Sequence, residues 1–312
     1  MLGEKMEREI REQPDVLRRT DYGTPLKACL EGRLFDMVLL AARGSSDNAA
    51  LYARYLIEIH LGIPVSLAAP SVLTRYGTRV RYPNCLVVGI SQSGAAPDVA
   101  EVLQACREDG HPTLAITNTA GSRLTQTAEH TLLLGAGIET SIAATKTYSA
   151  TLRALYELVR ALGADLPDPD LPNEGAVEAA RDAADRASGP VVRCSPLFTL
   201  GRGYGYATAQ ETALKLMECA LLPGKAFSSA DFEHGPKALA GPGSAIVSFD
   251  GEKPHLAETG SEVIVAPLAH VAEESRPFHE VVFGQWLALA ASRARGLDPD
   301  DARFLRKVTE TR

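Results

Sequence analysis

FTLGRGYGYATAQETALKLMECALLPGKAFSSADFEHGPK, residues 198–237, is the stretch whose reading decides the fold. Its opening apolar run ends in Gly201-Arg202-Gly203, the pattern of a buried strand feeding a sharp turn. A helix is expected next, over roughly Ala207–Leu222. Glu211, Lys215 and Glu218 fall on it at i, i+4 and i+7, one polar stripe on an otherwise apolar helix. Pro223-Gly224 should stop the helix, and a turn-rich segment then leads to His234-Gly235-Pro236. A carboxylate, an amine and an imidazole so close in sequence can move protons at neutral pH. The plainer alternative is that the stripe is a solvated helix face and His234 a turn residue, so the surrounding chain has to decide.

Upstream, Gly163-Ala-Asp-Leu-Pro-Asp-Pro-Asp-Leu-Pro-Asn-Glu-Gly175 is the best linker in the chain and divides it into domains 1–165 and 166–312. Ala42-Arg43-Gly44 and Gly201-Arg202-Gly203 end apolar runs 159 residues apart, and the same offset carries Ser91 onto Asp250 at the end of another run. Strand ends in register at one offset point to a duplicated α/β unit. The second copy reads as shortened. About a dozen residues separate Asp250 from Glu262-Val-Ile-Val-Ala266, against forty between Ser91 and Thr131.

The first half repeats the strand–turn–helix theme. Residues 1–33 read as amphipathic helix broken at Pro14 and near Gly23 and Pro25. Met37–Ala42 ends in Gly44-Ser45-Ser46, and Asp47 or Asn48 is the expected cap of a helix reaching about Leu61. Cys85–Ile90 runs into Ser91-Gln92-Ser93-Gly94, with Pro97-Asp98 opening the next helix. Further apolar runs start at Thr113 and Thr131, helices are expected over 142–162 and Pro277–Arg295, and the tail from Leu297 to Arg312 has no periodicity. Alternation at this spacing predicts an α/β fold with parallel sheets covered on both faces. Both serine turns then lie at strand C-terminal ends and open helices, where hydroxyls, free N–H groups and the helix terminus form an anion site suited to phosphate. Acidic Asp250 and Glu252 at the matching place in the second copy would repel it.

Composition bounds the function. A chain of 312 residues, 45% hydrophobic, has material for one large core or two modest ones. Net charge of −7 argues against nucleic-acid and anionic-membrane partners. No run of about eighteen apolar residues is present to span a bilayer, and the charged start MLGEKMEREIREQ is no secretory signal. Five cysteines without a Cys-x-x-Cys read as reduced thiols of a cytoplasmic protein, and the seven histidines show no metal-ligand spacing. Neither a metal nor another cofactor is expected.

Ile90-Ser91-Gln92-Ser93-Gly94, Ala144-Thr145-Lys146, Gly201-Arg202-Gly203, Glu211 to Glu218, Glu233-His234-Gly235-Pro236 and the closing Asp298-Pro-Asp300…Leu305-Arg306-Lys307 together resemble the sugar-isomerase (SIS) domain pair. That pair forms the isomerase half of glucosamine-6-phosphate synthase, and within the family the chain resembles stand-alone glucosamine-6-phosphate deaminases. The resemblance implies two three-layer αβα domains of flavodoxin-like type, the second shortened. It implies substrate binding by Gly44, Ser45, Ser46, Ser91, Gln92, Ser93 and Ala144. It makes Glu218 the carboxylate that shuttles a proton between sugar C1 and C2, with Lys215 one turn earlier. It makes His234 the ring-opening histidine, supplied by the neighbouring subunit of a homodimer, and Lys307 the tail lysine that meets the open-chain carbonyl. Ala96 departs from the family's Ser or Thr, and Met217 from a common Lys. A start at Met1-Leu2-Gly3 leaves no room for an ammonia-supplying glutaminase domain, so the expected net reaction is ammonia release from an amino-sugar 6-phosphate. An aldose–ketose isomerase or a fructosamine-6-phosphate deglycase would use nearly the same groups, whereas a sugar-phosphate sensor would need the serines but neither Glu218 nor His234.

Overall fold

The computed structural model describes residues 1–307, so Arg312 of the tail lies outside the described residues. The chain forms two compact units, one of residues 16–138 and 147–168, the other of 1–15, 139–146 and 169–307. Compared with the expected domains 1–165 and 166–312, the main break falls at 168/169, and residues 1–15 and 139–146 pack with the second unit.

In the first unit the strands are β1 (Met37–Ala41), β2 (Val65–Leu67), β3 (Cys85–Ile90), β4 (Thr113–Thr117) and β5 (His130–Leu133). All pairings are parallel and the order is β2-β1-β3-β4-β5, the flavodoxin-like arrangement. Every residue of β3 and β4 is buried, which is why these strands read as unbroken apolar runs. Edge strand β5 is half exposed. The chain turns outward from β1 to β2 and the other way from β3 to β4. Right-handed crossovers therefore put the helices Ser45–His60 and Pro97–Glu108 on opposite faces of the sheet.

The second unit contains β6 (Leu197–Gly201), β7 (Gly224–Ser228), β8 (Ala245–Ser248) and β9 (Glu262–Val265), parallel in the order β7-β6-β8-β9. Val38 in β1 pairs with Val65 and Leu86, and 159 residues later Leu197 in β6 pairs with Gly224 and Ala245. The N-cap glycines obey the same offset. Gly44 has φ 56 and ψ −130, and Gly203 has φ 58 and ψ −131, a backbone region open essentially to glycine alone. Four strands against five make this the smaller sheet, as the short Asp250–Glu262 spacing predicts.

Helix Tyr204–Ala220 packs on β6 and β7 and against helix Arg276–Ala294, which also covers helix Glu174–Arg193. Closeness is obtained at Gly284, where a Cβ would overlap the Thr212 side chain. Phe278, Val281, Phe283, Trp286 and Leu287 are all buried, and each such side chain stabilises the fold by about 1.5–3 kcal/mol. Among the described residues no helix is long and apolar enough to cross a membrane.

Several boundaries differ from expectation. The first helix after β1 is capped by Gly44 rather than Asp47 or Asn48. Helix Tyr204–Ala220 ends at Leu221 in a left-handed conformation (φ 51), before Pro223 is reached, and Arg295 Nη1 donates to the Leu221 carbonyl at 3.0 Å. The linker closes at Asn173, whose side chain accepts from Ala176 N at 2.9 Å and starts a helix that carried no expectation.

Candidate active site

The two serine turns of the first unit follow β1 and β3, which are adjacent, parallel and connected in opposite directions. They therefore flank the point where the sheet changes winding direction, the place where open α/β sheets bind ligands. Gly44 is exposed and Ser45 and Ser46 are half-buried, at the first turn of a 16-residue helix in which the Ser46, Asp47 and Asn48 N–H groups bond the Arg43 and Gly44 carbonyls. The second turn is tightly built. Gly94 N donates to Ser91 Oγ at 3.2 Å, Ala95 N donates to Ser93 Oγ at 3.3 Å, and Thr117 Oγ1 and Asn118 N both donate to the Gln92 carbonyl, at 3.2 and 3.0 Å. Gly94 has φ +63 and lies so close to Ser122 that a Cβ would overlap it.

Arg43 Nε reaches the buried Asp98 carboxylate at 2.7 Å and ties the two turns together. Asp98 uses its other oxygen on Val99 N at 2.9 Å, inside the first turn of its own helix. Burial pushes the Asp47 carboxyl up, with Arg43 opposing. Ala96, the N-cap of helix Pro97–Glu108, offers no side-chain acceptor.

At the equivalent place in the second unit the anion is built in. Asp250 accepts from Arg202 N at 2.7 Å with one oxygen, and Ser229 Oγ donates to the other. Both carboxylate oxygens of Asp250 are therefore engaged, one by the turn that precedes helix Tyr204–Ala220 and one by the Ser229 hydroxyl.

The polar stripe of helix Tyr204–Ala220 does not face solvent. Glu211 and Lys215 are fully buried, and only Glu218, with 25% of its side chain accessible, reaches the surface. Lys215 Nζ lies 3.5 Å from Glu211 and bonds Glu218 directly. Burial works against the Lys215 ammonium, but the Glu211 and Glu218 carboxylates more than offset it, so its proton is held above the usual lysine range. Next to it, burial pushes the Cys219 thiol up to about 12.

His234 ends the short helix Ser229–Glu233, which Phe232 anchors by packing edge-on to Phe198 with ring centroids 5.2 Å apart. The histidine is exposed, and among the described residues its imidazole makes no hydrogen bond or ion pair to Glu218. Lys307 is also separate from Glu218. Its Nζ sits 2.5 Å from Glu139, a carboxylate with no accessible surface. Glu139 also accepts from Thr145 N at 3.0 Å and Thr145 Oγ1 at 3.3 Å, beside half-buried Ala144. The structure thus joins Lys215 with Glu218 and brings the serine turns to one sheet edge, while Lys307 bonds Glu139 and, among the described residues, His234 makes no bond to Glu218. Arg43, Asp98 and Glu139 are the site residues that sequence reading missed. Arg43 and Asp98 had a signal, since both lie inside the strand-end turns, whereas Glu139 is a lone acid in a loop.

The SIS domain family matches residues 36–161. A glutamine–fructose-6-phosphate aminotransferase (isomerizing) of Methanothermobacter thermautotrophicus is 32% identical, over 97% of this chain and 56% of its own length. The chain spans about half the length of the curated relatives it matches. Among solved structures, a Silicibacter pomeroyi protein assigned as a phosphosugar isomerase is 29% identical with a TM-score of 0.80, covering 95% of this chain and 99% of that one. The C-terminal domain of glucosamine-fructose-6-phosphate aminotransferase from Francisella tularensis has the same fold, with a TM-score of 0.80 at 24% identity over 94% of this chain and 97% of that one.

Proposed function

We propose that this chain, whose residues 36–161 match the SIS domain family, is an isomerising deaminase converting glucosamine 6-phosphate to fructose 6-phosphate and ammonia. The observation that carries the reading is the buried Glu211–Lys215–Glu218 line, in which only Glu218 reaches solvent. A carboxylate held against a buried ammonium at the surface end of a rigid helix is placed to take and return one proton. The names of the relatives, which include fructose 6-phosphate and isomerisation, support the same substrate class.

The chemistry follows from these groups. The serine turns take the phosphate through hydroxyls and helix N–H donors. His234, supplied by a second copy of the chain, assists opening of the pyranose ring. Glu218 removes the proton from C2 of the open aldehyde and returns it to C1, leaving a C1 alcohol and a C2 imine. Water then adds to the imine carbon and ammonia leaves, giving the C2 ketone. Lys215 keeps Glu218 oriented, and Lys307 approaches the carbonyl end of the sugar. A reducing, cytoplasmic setting belongs to the same reading, since all five cysteines are free.

An aldose–ketose isomerase is the second reading, favoured by the 29% identity to the Silicibacter protein. One assay separates the two. Glucosamine 6-phosphate should release ammonia and fructose 6-phosphate in equal amounts, while glucose 6-phosphate, galactosamine 6-phosphate and a fructosamine 6-phosphate are run beside it. Interconversion of glucose and fructose 6-phosphates with no ammonia from the amino sugar would replace the deaminase with the isomerase.

A further inference from the structure

A fully buried carboxylate is expensive unless it is paired and hydrogen-bonded. Glu139 has no accessible side-chain surface, and both of its oxygens are bonded. Oε1 takes the Thr145 N–H and hydroxyl, local bonds that fix the carboxylate plane within its own loop. Oε2 takes Lys307, which comes from 168 residues further along the chain. Lys307 keeps 23% of its side chain accessible, while its Nζ is held by the Glu139 carboxylate.

The segment that brings Lys307 there is exposed over residues 303–306. From Ala302 to Leu305 it carries no helix or strand, and Phe304 is 88% exposed with a left-handed φ of 64. Its upstream end is pinned by carboxylates. Asp298 accepts from Gly3 N at 2.9 Å, and Asp300 accepts from Lys5 N at 2.7 Å and Met6 N at 3.1 Å, at the start of helix Glu4–Arg11. The tail is a short strap pinned at one end by Asp298 and Asp300 and at the other by Glu139.

We propose that Glu139 is a positioning residue for the reaction, acting through Lys307 by holding the strap and its amine in place. The inference rests on the reading of Lys307 as a group that meets the substrate carbonyl. The Thr145 bonds keep the Glu139 carboxylate in one orientation, so the amine is located by a rigid loop instead of by its own flexible stem. A buried charge pair of this kind specifies position better than it adds stability.

Two measurements test it. The first needs no substrate: the native protein is treated with an amine-acetylating ester, and modification of Lys307 is timed by peptide mass spectrometry. Glu139→Gln, which keeps the shape and a Thr145 acceptor, should raise the Lys307 labelling rate at least several-fold, with an unchanged circular dichroism spectrum. Equal rates in the parent and the variant would overturn the proposal, whether or not the deaminase reading stands. The second is a double-mutant cycle on ammonia release. Glu139→Gln should lower kcat by roughly a hundredfold, the cost of an ångström-scale misplacement, with little change in KM. Lys307→Ala should abolish most activity, and the double variant should be no worse than Lys307→Ala alone. Losses that add independently, or a Glu139→Gln effect confined to KM, would make Glu139 a structural residue only. If the chain releases no ammonia from any sugar phosphate, the function reading fails, and labelling alone decides whether Glu139 holds the lysine.

Discussion

Glu218 owes its chemistry to its neighbours. Lys215, buried between two carboxylates, keeps its proton, so it orients Glu218 as a fixed cation. Glu218→Gln preserves shape and can still accept from Lys215, but cannot carry a proton. Its kcat should fall by about 10²–10⁴ with the fold retained. In the parent enzyme, solvent deuterium should appear at C1 of the fructose 6-phosphate formed. Near-parental turnover by the variant would move the proton transfer to another group. At this scale the sequence was legible where residues share a helix, because i, i+4 and i+7 fix Glu211, Lys215 and Glu218 on one face whatever surrounds it. Which way that face points was not legible, and the plain expectation of a solvated stripe is corrected by the burial of Glu211 and Lys215. Glu139 was beyond reach for another reason, since it is defined by a basic partner on a distant segment, Lys307.

The serine turns act as elements, each a strand end and a helix start. Loss of one hydroxyl removes a hydrogen bond to a charged group, worth about 1.5–3 kcal/mol. Ser46→Ala and Ser93→Ala should therefore each raise KM by roughly tenfold with kcat little changed. Equal turnover of the sugar with and without its phosphate would remove the anion site from these turns. Ala96 offers the opposite experiment. As the N-cap of helix Pro97–Glu108 it provides no acceptor, and Ser is preferred there by about 1 kcal/mol. Ala96→Ser should raise the denaturation midpoint and, on the proposed reading of the serine turns as the phosphate site, also lower KM. Elements were readable in proportion to their burial. β1, β3, β4, β6 and β8 stand out as continuous apolar runs, whereas β2 has three residues and β7 alternates with an exposed Lys225, too little pattern for either edge strand. Helix Glu174–Arg193 contains Gly175, Gly189 and Pro190 and forms nonetheless, its buried Val177, Ala180, Ala184, Ala187 and Val191 outweighing the breakers.

For the whole molecule, the proposal that His234 reaches the site from a second copy of the chain is testable. Glu218→Gln and His234→Ala, each inactive alone, are unfolded and refolded together in equal amounts. Random pairing makes about half the dimers mixed, and in those one site collects both lesions while the other is intact. Activity should return to roughly a quarter of the parent value. Verified hybrids that stay inactive would assign both residues to the same chain. The smaller size of the second sheet followed from spacing alone, but the packing of residues 1–15 and 139–146 with the second unit did not, because chain order carries no information about such exchanges. The Asp250 carboxylate bears on the molecule as a whole in another way. It is a counter-ion tethered by its own backbone to the donors of Arg202 and Ser229, and its effective concentration is millimolar or higher without any solute present. Dissolved phosphate has to compete with an anion that never diffuses away. Calorimetric titration with a sugar phosphate should therefore saturate at one equivalent per polypeptide along a simple hyperbola, and excess phosphate should find no second cradle to fill.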